Sequence, residues 1–296
     1  MRKFSPSFSA HIASGATTLC NCWLIERRDG INLGFCDHDL PLEFNGQKYL
    51  PAHGLDSSEV SAKLGSQVDT SEISGILHSA AISEEDILLG RYKNAKVTTL
   101  RVNWRDVSMR EILRVDNIGE ITRQDQVFRA ELRSQQEVLN IPKGRRFQPG
   151  CDTLVGSPRC GINIEATNFK GQAIVVALEG RFAIEVSGLG AFAADWFSKG
   201  KVVWSSGKRS GLIDAINSHS LRAANALLVF AEPVGDWAVA GNQLSVYVGC
   251  NRLFSTCKDK FSNSANFQGF PHIPGNDFLL SYPRSGDVLS GTALIK

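Results

Sequence analysis

The chain of 296 residues is built from short apolar stretches that Gly, Asn, Asp or Pro interrupt about every ten residues. The longest apolar runs, Ala173 to Leu178 and Ala226 to Ala231, are only long enough for a strand. This punctuation predicts a mainly β protein with a few short helices packed against its sheets. No run reaches the roughly 20 residues that a membrane-spanning helix needs, so we predict no membrane span.

The strand prediction covers ten segments. They are Leu19–Glu26, Ile31–Phe35, Leu40–Phe44, Lys96–Asn103, Glu111–Val115, Gln126–Leu132, Gln172–Leu178, Phe182–Val186, Lys201–Ser205 and Leu244–Val248. A turn is predicted at Asp116 to Gly119. Ser83, with Asp86 three residues later, predicts a capped helix through Tyr92. Two more short helices are predicted, and they are Ser210–Asn217 and Leu253–Phe261.

One segment reads as a domain boundary. Leu139 to Pro149 (LNIPKGRRFQP) combines prolines, a glycine and basic residues without any periodicity. We therefore predict an N-terminal β-rich domain at 1–140 and a second β-rich domain, which holds four of the seven cysteines, at 141–296. Barrel-like or sandwich-like sheets would suit both domains.

The charge and the N-terminus exclude several classes of protein. With 32 basic and 30 acidic residues, the net charge of +2 gives no basic surface for sequence-specific nucleic-acid binding. Residues 5–14 are small and polar rather than apolar, so we predict no secretory signal and synthesis in the cytoplasm. An odd number of cysteines in that compartment predicts structural thiols, reactive thiols or metal ligands rather than full disulfide pairing.

Four cysteines form two spaced pairs. Eight residues separate Cys151 from Cys160, six separate Cys250 from Cys257, and 89 lie between the pairs. Four thiolates from two loops can bind Zn²⁺ or ligate an iron–sulfur cluster. Structural zinc sites usually place two to four residues between paired ligands, so the wider spacing favours a cluster, with zinc as the runner-up.

The neighbours of these cysteines suit an anionic metal site. Gly150, Gly161 and Gly249 would let the backbone approach sulfur closely. Basic residues near the cysteines in sequence outnumber acidic ones; the basic residues are Lys143, Arg145, Arg146, Arg159, Arg252, Lys258 and Lys260. A cluster, a zinc tetrathiolate and four ordinary buried thiols all remain open on these grounds.

Several stretches resemble phage tail-tip hub proteins, a family that also occurs in gene transfer agents. The resemblance rests on GCNRLFSTCKDKF (Gly249–Phe261), NFQGFPHIPGND (Asn266–Asp277), Thr18–Pro51 and KGKVVWSSGKRSG (Lys199–Gly211). The C-terminal half is also similar to the tail-tip protein L family of phage lambda. That family holds a [4Fe–4S] cluster through four cysteines with the same spacing within each pair.

The resemblance implies a structural role in the particle. Cys151, Cys160, Cys250 and Cys257 would be the cluster ligands, and the long gap between the pairs would be an inserted β segment. The protein would be a homotrimeric baseplate hub that closes the tail tube. It would join the distal tail protein ring to the central tip or fibre protein, with a tail-associated peptidase as a further partner. It would act in the tail tip of a phage or gene transfer agent particle made in a bacterial cytoplasm.

Other residues suggest weaker alternatives. Cys20, Cys22, Cys36 and His38 could form a second zinc site, but strand cysteines in a core are the simpler interpretation. Asp37, His38 and Asp39 could form a catalytic acid–base cluster, but no Ser or Cys nucleophile can be assigned to it, so we predict hydrogen bonding in a β-turn or at a strand edge. The remaining candidates are read as structural, and they are His272, Trp196, Trp204 and Trp237.

Two alternative functions stay open. The first is a tail-associated cell-wall hydrolase, which would need a Cys–His pair or an open zinc site. The second is a zinc-stapled structural module. Because no histidine stands at ligand spacing from the paired cysteines, we predict no enzymatic activity and no catalytic residue.

Overall fold

A computed structural model describes residues 4–51, 55–57, 70–75, 82–124, 127–134 and 143–273. The chain divides into two compact units, Met1–Lys143 and Gly144–Lys296. Each unit has its own sheet, and the described helices are short. The predicted mainly β fold class is therefore confirmed. Within the described residues, no helix is long and apolar enough to cross a bilayer.

In its described residues, the first unit has a nine-stranded sheet and two helices. Its elements are α1 (Pro6–Ala13), β1 (Leu19–Glu26), β2 (Asn32–Cys36), β3 (Leu42–Phe44), β4 (Gln47–Pro51), β5 (Leu55–Ser57), β6 (Thr70–Gly75), α2 (Glu84–Leu88), β7 (Lys96–Asn103), β8 (Arg110–Gln124) and β9 (Val127–Ser134). The strand order is β3-β4-β2-β1-β7-β8-β9-β6-β5. The β2–β4 pair is parallel and the other pairs are antiparallel.

Strand β1 separates two apolar clusters because its successive side chains point to opposite faces of the sheet. Cys20 and Cys22 pack on one face, with residues of β2, β3, β4 and β7. Trp23 packs on the other face, against Ile82 and Tyr92 from the segment around α2. Strand β1 thus packs apolar side chains on both faces, which explains its apolar run Cys22–Ile25.

The helix at Ser83 is confirmed, although it ends at Leu88. The Ser83 hydroxyl accepts a hydrogen bond from the Asp86 backbone N–H, as the capping pattern predicts. Helix α1 was not predicted, because its sequence is small and polar. Pro6 begins it, and Phe8, only 1% exposed, attaches it to the unit.

The predicted turn at Asp116 to Gly119 is wrong. These residues lie inside the fifteen-residue strand β8, whose register with β9 shifts between Ile118 and Ile121. Asp116 is buried and pairs with Arg114 on the same strand, so its polarity does not break the strand. The irregularity that the sequence signals is thus a bulge rather than a hairpin turn.

The second unit is a closed six-stranded barrel. Its strands are β10 (Lys170–Glu179), β11 (Ala183–Ser187), β12 (Lys201–Trp204), β13 (Ile213–Arg222), β14 (Asn225–Phe230) and β15 (Gln243–Tyr247). Around the barrel the order is β10-β11-β14-β13-β12-β15. The interior is filled by alternate residues of every strand, among them Val175, Ile184, Leu228 and Leu244. Helix α3 (Phe254–Asp259) and a 3₁₀ turn (Ser264–Asn266) follow β15.

The predicted helix at Ser210–Asn217 is wrong, whereas the one at Leu253–Phe261 is confirmed as α3. The former segment enters β13, which pairs with both β12 and β14. Ile216 and His219 point into the barrel while the residues between them face outward. Hydrogen bonding of β13 to a neighbouring strand on each side outweighs the local preference for a helix.

Candidate metal centre

Closure of the barrel explains why the two cysteine pairs meet. Strand β10, the first of the barrel, pairs with β15, the last, and Lys170 lies opposite Tyr247. The segment that enters the barrel and the segment that leaves it therefore lie side by side. We call these segments, 143–169 and 248–273, the cysteine loops. The 89 residues between the pairs contain the whole barrel, as expected for an inserted β segment.

Backbone and side-chain hydrogen bonds hold the cysteine loops together. The Cys151 N–H donates to the Arg252 carbonyl at 2.8 Å, and the Asn263 side-chain amide donates to the Cys160 carbonyl at 2.7 Å. The Phe270 N–H donates to the Gln148 carbonyl at 2.9 Å. These bonds join residues about 100 positions apart, so tertiary structure rather than local sequence places the cysteines.

Glycines allow close backbone contacts at two points. A Cβ atom at Gly269 would lie 2.7 Å from the Gly150 carbonyl group, so this glycine permits the two cysteine loops to approach each other. A Cβ atom at Gly249 would lie 1.8 Å from the Ser198 carbonyl oxygen, in the segment between β11 and β12. The predicted approach of the backbone to sulfur is not what the structure shows at Gly249, because its close neighbours are backbone atoms of Ser198 and Gly200.

The four sulfurs influence one another electrostatically. Burial raises the pKa of Cys250 and of Cys257, and the negative charge of neighbouring thiolates, Cys151 and Cys160 among them, raises both values further. Cys257 is buried, and the other three are half-buried. The structure thus brings all four predicted residues into one electrostatic neighbourhood, where gathered thiolates would require a positive partner.

Hydrogen-bond donors already point at two of the sulfurs. The Arg252 N–H lies 3.4 Å from the Cys250 sulfur, and the Asn263 amide lies 3.9 Å from the Cys160 sulfur. The Cys257 thiol itself donates to the Asn263 carbonyl at 3.3 Å. Donors of this kind stabilise thiolates and tune iron–sulfur clusters. Asn263 therefore links one cysteine from each loop, a role that its sequence context does not signal.

Positively charged side chains lie in the cysteine loops, and each of those described here has a defined hydrogen-bond or ion-pair partner. Lys260 donates to the Trp196 and Gly249 carbonyls at 2.6 and 2.9 Å, and burial lowers its pKa. Arg145 and Arg159 both bind Asp152, at 2.8 and 3.2 Å. Trp196 stacks on Phe169 and lies beneath Lys260, which confirms the structural interpretation of this tryptophan.

The spacing of donors bears on which metal species could bind. Among the described residues, no three His, Cys, Asp or Glu side chains lie close enough to hold a single metal ion. The cysteine loops do supply four thiols, nearby cations and N–H donors, which is the donor chemistry of an iron–sulfur site. A cubane cluster is larger than one ion, so its ligands stand further apart than those of a zinc tetrathiolate.

The second set of candidate zinc ligands does not assemble as one. Cys20, Cys22 and Cys36 are buried together in the apolar core of the first unit. His38 instead stacks on Trp104, with ring centroids 5.0 Å apart, and its Nδ1 accepts from the Leu40 N–H. These cysteines lie in the core, as the simpler interpretation predicts.

The remaining candidates have structural partners. Asp37 accepts hydrogen bonds from the Asn21 backbone and side chain, at 2.7 and 2.8 Å, as predicted for a strand edge. His272 packs edge-on against Phe254. An open cleft of about 660 Å³ adjoins the cysteine loops, and its described lining includes Asp195, Lys260, Ser255 and Thr256 but neither His nor Cys.

Comparison with known proteins places the chain in a family. Residues 5–163 match the family described as "Baseplate hub protein, N-terminal attachment domain", and residues 195–277 match "Phage conserved hypothetical protein BR0599". A chain from the solved structure "Virion of native gene transfer agent (GTA) particle" is 35% identical, with a TM-score of 0.90. That match covers 98% of this chain and 100% of the other. No curated protein matches. Because the first family spans more than half of the sequence and the structural match nearly all of it, the protein belongs to the baseplate hub proteins of phage-like virions.

Proposed function

We propose that this virion component is the homotrimeric hub that closes the tail tube and joins the distal tail ring to the central tip or fibre protein. The attachment domain of the matched family, which covers residues 5–163, supports docking of the first unit onto the ring. We assign contact with the tip protein to the second unit, which carries the barrel and most of the cysteine loops. We assign cell-wall cleavage to a separate tail-associated peptidase, since the described lining of the cleft holds no His or Cys to form the Cys–His pair or open zinc site that a hydrolase would need.

We further infer that Cys151, Cys160, Cys250 and Cys257 hold a [4Fe–4S] cluster. The observation that carries this inference is the β10–β15 pairing, which brings the two cysteine pairs together across the whole barrel. The mutual electrostatic effect of the thiols and the N–H donors at Cys160 and Cys250 support it. The preference for a cluster over one zinc ion rests on the spacing of the cysteines in the sequence, with eight and six residues within the pairs, and on the family resemblance.

The role we assign to the cluster is that of a structural staple. When bound, it supplies four metal–sulfur bonds that join segments about 90 residues apart, restricting the unfolded chain as a cross-link would. The residues of this chain prepare the site. Asn263 holds the Cys160 backbone, and Arg145 and Arg159 converge on Asp152 next to Cys151.

Iron and acid-labile sulfide analysis of anaerobically purified protein tests the cluster. We expect about four irons and four sulfides per chain, with a broad absorbance band near ~400 nm. Cys160→Ser should lose both, whereas Cys20→Ser, a change to a buried thiol of the other unit, should keep them. About one zinc without sulfide would replace the cluster by a zinc staple. Neither metal would leave the four residues as ordinary thiols and overturn the inference.

An exposed apolar strip supports assembly with neighbouring subunits. Ile174, Val176 and Leu178 point outward from β10 and are 46, 43 and 41% exposed. Aligned aliphatic side chains on a protein surface commonly mark an interface. Light scattering of the wild type should give three copies. Val176→Glu should weaken assembly or binding of tail partners, while Gln172→Glu on the same face should not. Equal behaviour of the two variants would exclude this strip as an interface.

A further inference from the structure

The first unit contains three thiols that the proposed function does not use. Cys20, Cys22 and Cys36 are 5, 0 and 0% exposed and pack in one apolar cluster. The Cys20 and Cys22 thiols are hydrogen-bonded to each other, and the charge of Cys36 contributes to the raised pKa of Cys22. Buried thiols usually act as small apolar residues. The strand register, however, gives one pair of them a specific relationship.

Cys22 on β1 and Cys36 on β2 lie directly opposite each other in the antiparallel ladder. The neighbouring opposite pair, Asn21 and Asp37, is joined by a backbone hydrogen bond of 3.1 Å. Bonded and non-bonded pairs alternate along an antiparallel ladder, so Cys22 and Cys36 occupy a non-hydrogen-bonded position. Arg27 and Ile31, bonded at 2.9 Å further along, fit the same alternation.

This position has the dimensions of a disulfide. At non-hydrogen-bonded pairs the Cα atoms are about 4.5 Å apart and the two side chains extend from the same face of the sheet. Disulfides join residues whose Cα atoms are roughly 4.4–6.8 Å apart. The Cys22 and Cys36 sulfurs can therefore be joined without rearranging the backbone.

The third thiol is less well placed for such a bond. Cys20 lies diagonally across the ladder from Cys36, and diagonal neighbours are roughly 7–8 Å apart, beyond the reach of an unstrained disulfide. Cys20 and Cys22 are hydrogen-bonded to each other, but they are two positions apart on one extended strand, so their Cα atoms are about 6.5 Å apart, near the upper limit for a disulfide. Cys22 and Cys36 are therefore the best placed of the three possible pairs.

We propose that Cys22 and Cys36 form a disulfide once the particle has left the reducing cytoplasm. The two thiols lose two protons and two electrons to a small-molecule disulfide, which is reduced to two thiols through a mixed-disulfide intermediate. Virion surfaces are among the environments in which disulfides form and persist. The bond would fix the register of β1 against β2, at the centre of the first unit.

The burial of the pair predicts slow formation and a measurable gain in stability. A hydrogen bond with Cys20 and burial raise the pKa of Cys22, and burial raises that of Cys36, so both stay protonated and react slowly. The bond closes a loop of about 15 residues. By restricting the unfolded chain, it should lower the equilibrium constant for unfolding by roughly 100-fold. For a unit of this size, the corresponding rise in melting temperature is about 6–12 °C.

Mass spectrometry of the full-length protein tests the bond. Reduced protein is incubated overnight with oxidised glutathione, unfolded, alkylated and digested with trypsin. Cleavage at Arg27 and Arg28 places Cys22 and Cys36 on separate peptides, so a linked pair is recognised directly. Cys20 shares the peptide of Cys22, and Cys20→Ala removes that ambiguity. Thermal melts of the oxidised and reduced wild type avoid any dependence on whether a variant folds.

We expect the linked peptide in the wild type and in Cys20→Ala but not in Cys36→Ala. The higher melting temperature should revert when a reductant is added. Two results would overturn the proposal. The first is full alkylation of Cys22 and Cys36 after oxidation; the second is a linked peptide that includes Cys20 instead of Cys22. A bond without any rise in melting temperature would refute its stabilising role.

Discussion

The β12–β13 hairpin of the barrel depends on a largely buried ion pair, which makes Asp214 the most informative residue to change. Its oxygens accept hydrogen bonds from Arg209 at 2.6 and 3.1 Å and from the Trp204 indole at 2.5 Å. The side chains of Arg209 and Asp214 are only 8 and 11% exposed. Asp214→Ala would leave a buried guanidinium and a buried indole N–H without these partners.

The expected cost follows from that burial. Removing one partner of a buried ion pair typically lowers the free energy of unfolding by about 3–5 kcal/mol, because the remaining charge is uncompensated. For a unit of this size, that corresponds to a melting temperature lower by about 6–20 °C. Asp236, which binds Arg181 in the same barrel, is the matched control. Those side chains are 48 and 66% exposed, so Asp236→Ala should cost at most about 1 kcal/mol.

Urea unfolding followed by tryptophan fluorescence measures both variants against the wild type. Asp214→Asn, which keeps the volume and one acceptor oxygen, should lie between the wild type and Asp214→Ala. Strand β12 also pairs with β15, which leads into the second cysteine loop, so the weakened hairpin should lower iron retention as well. Equal unfolding midpoints for Asp214→Ala and Asp236→Ala would refute the argument from burial.

Three further predictions concern the second unit. Burial lowers the pKa of His219, and neither ring nitrogen has a hydrogen-bond partner among the described residues. The folded state therefore binds fewer protons than the unfolded chain at low pH. The free energy of unfolding should fall as the pH drops below about 6.5, by at most about 1.4 kcal/mol per pH unit. Urea titrations at several pH values should show that His219→Leu removes this contribution. Gly249→Ala should push the start of the second cysteine loop away from the Ser198 and Gly200 backbone and so lower the yield of soluble protein, whereas Gly150→Ala, where a Cβ would lie in ordinary van der Waals contact, should be tolerated. Leu228→Ala should cost about 2–5 kcal/mol in calorimetry because Leu228 is fully buried, and a comparable loss in Leu221→Ala, where the side chain is 39% exposed, would contradict the assigned core.

The cysteines of the candidate site can be found in the sequence, whereas the residues that support them cannot. Cys151, Cys160, Cys250 and Cys257 stand out in the sequence as two spaced pairs, and the resemblance to tail-tip hub proteins implies that they are ligands, whereas their spacing alone leaves a cluster, zinc and ordinary thiols open. Asn263 and the Lys260 contacts are not recognisable, because a single amide or lysine in a loop has no pattern of its own. Their roles depend on atoms of residues 60 to 100 positions away.

The Cys22–Cys36 pair of the first unit likewise cannot be recognised from the sequence. Cys20 and Cys22 look like the natural couple in the sequence, and Cys36 with His38 looks like a second one. The strand register instead sets Cys22 opposite Cys36 and turns His38 towards Trp104. Pairing across strands, which local spacing does not encode, thus decides which thiols can react with each other.

The sequence by itself determined the mainly β class, most strands and the helices at Ser83 and Leu253, because alternating apolar residues, turn residues and caps act over a few positions. It misplaced a turn at Asp116 and a helix at Ser210, where local polarity suggested an end or a change of structure. Only the tertiary structure decided these cases, since β8 tolerates Asp116 through its ion pair and β13 is held by partners on both sides. Closure of the barrel is likewise a long-range event. It brings the ends of β10 and β15 together, and with them the two pairs of cysteines.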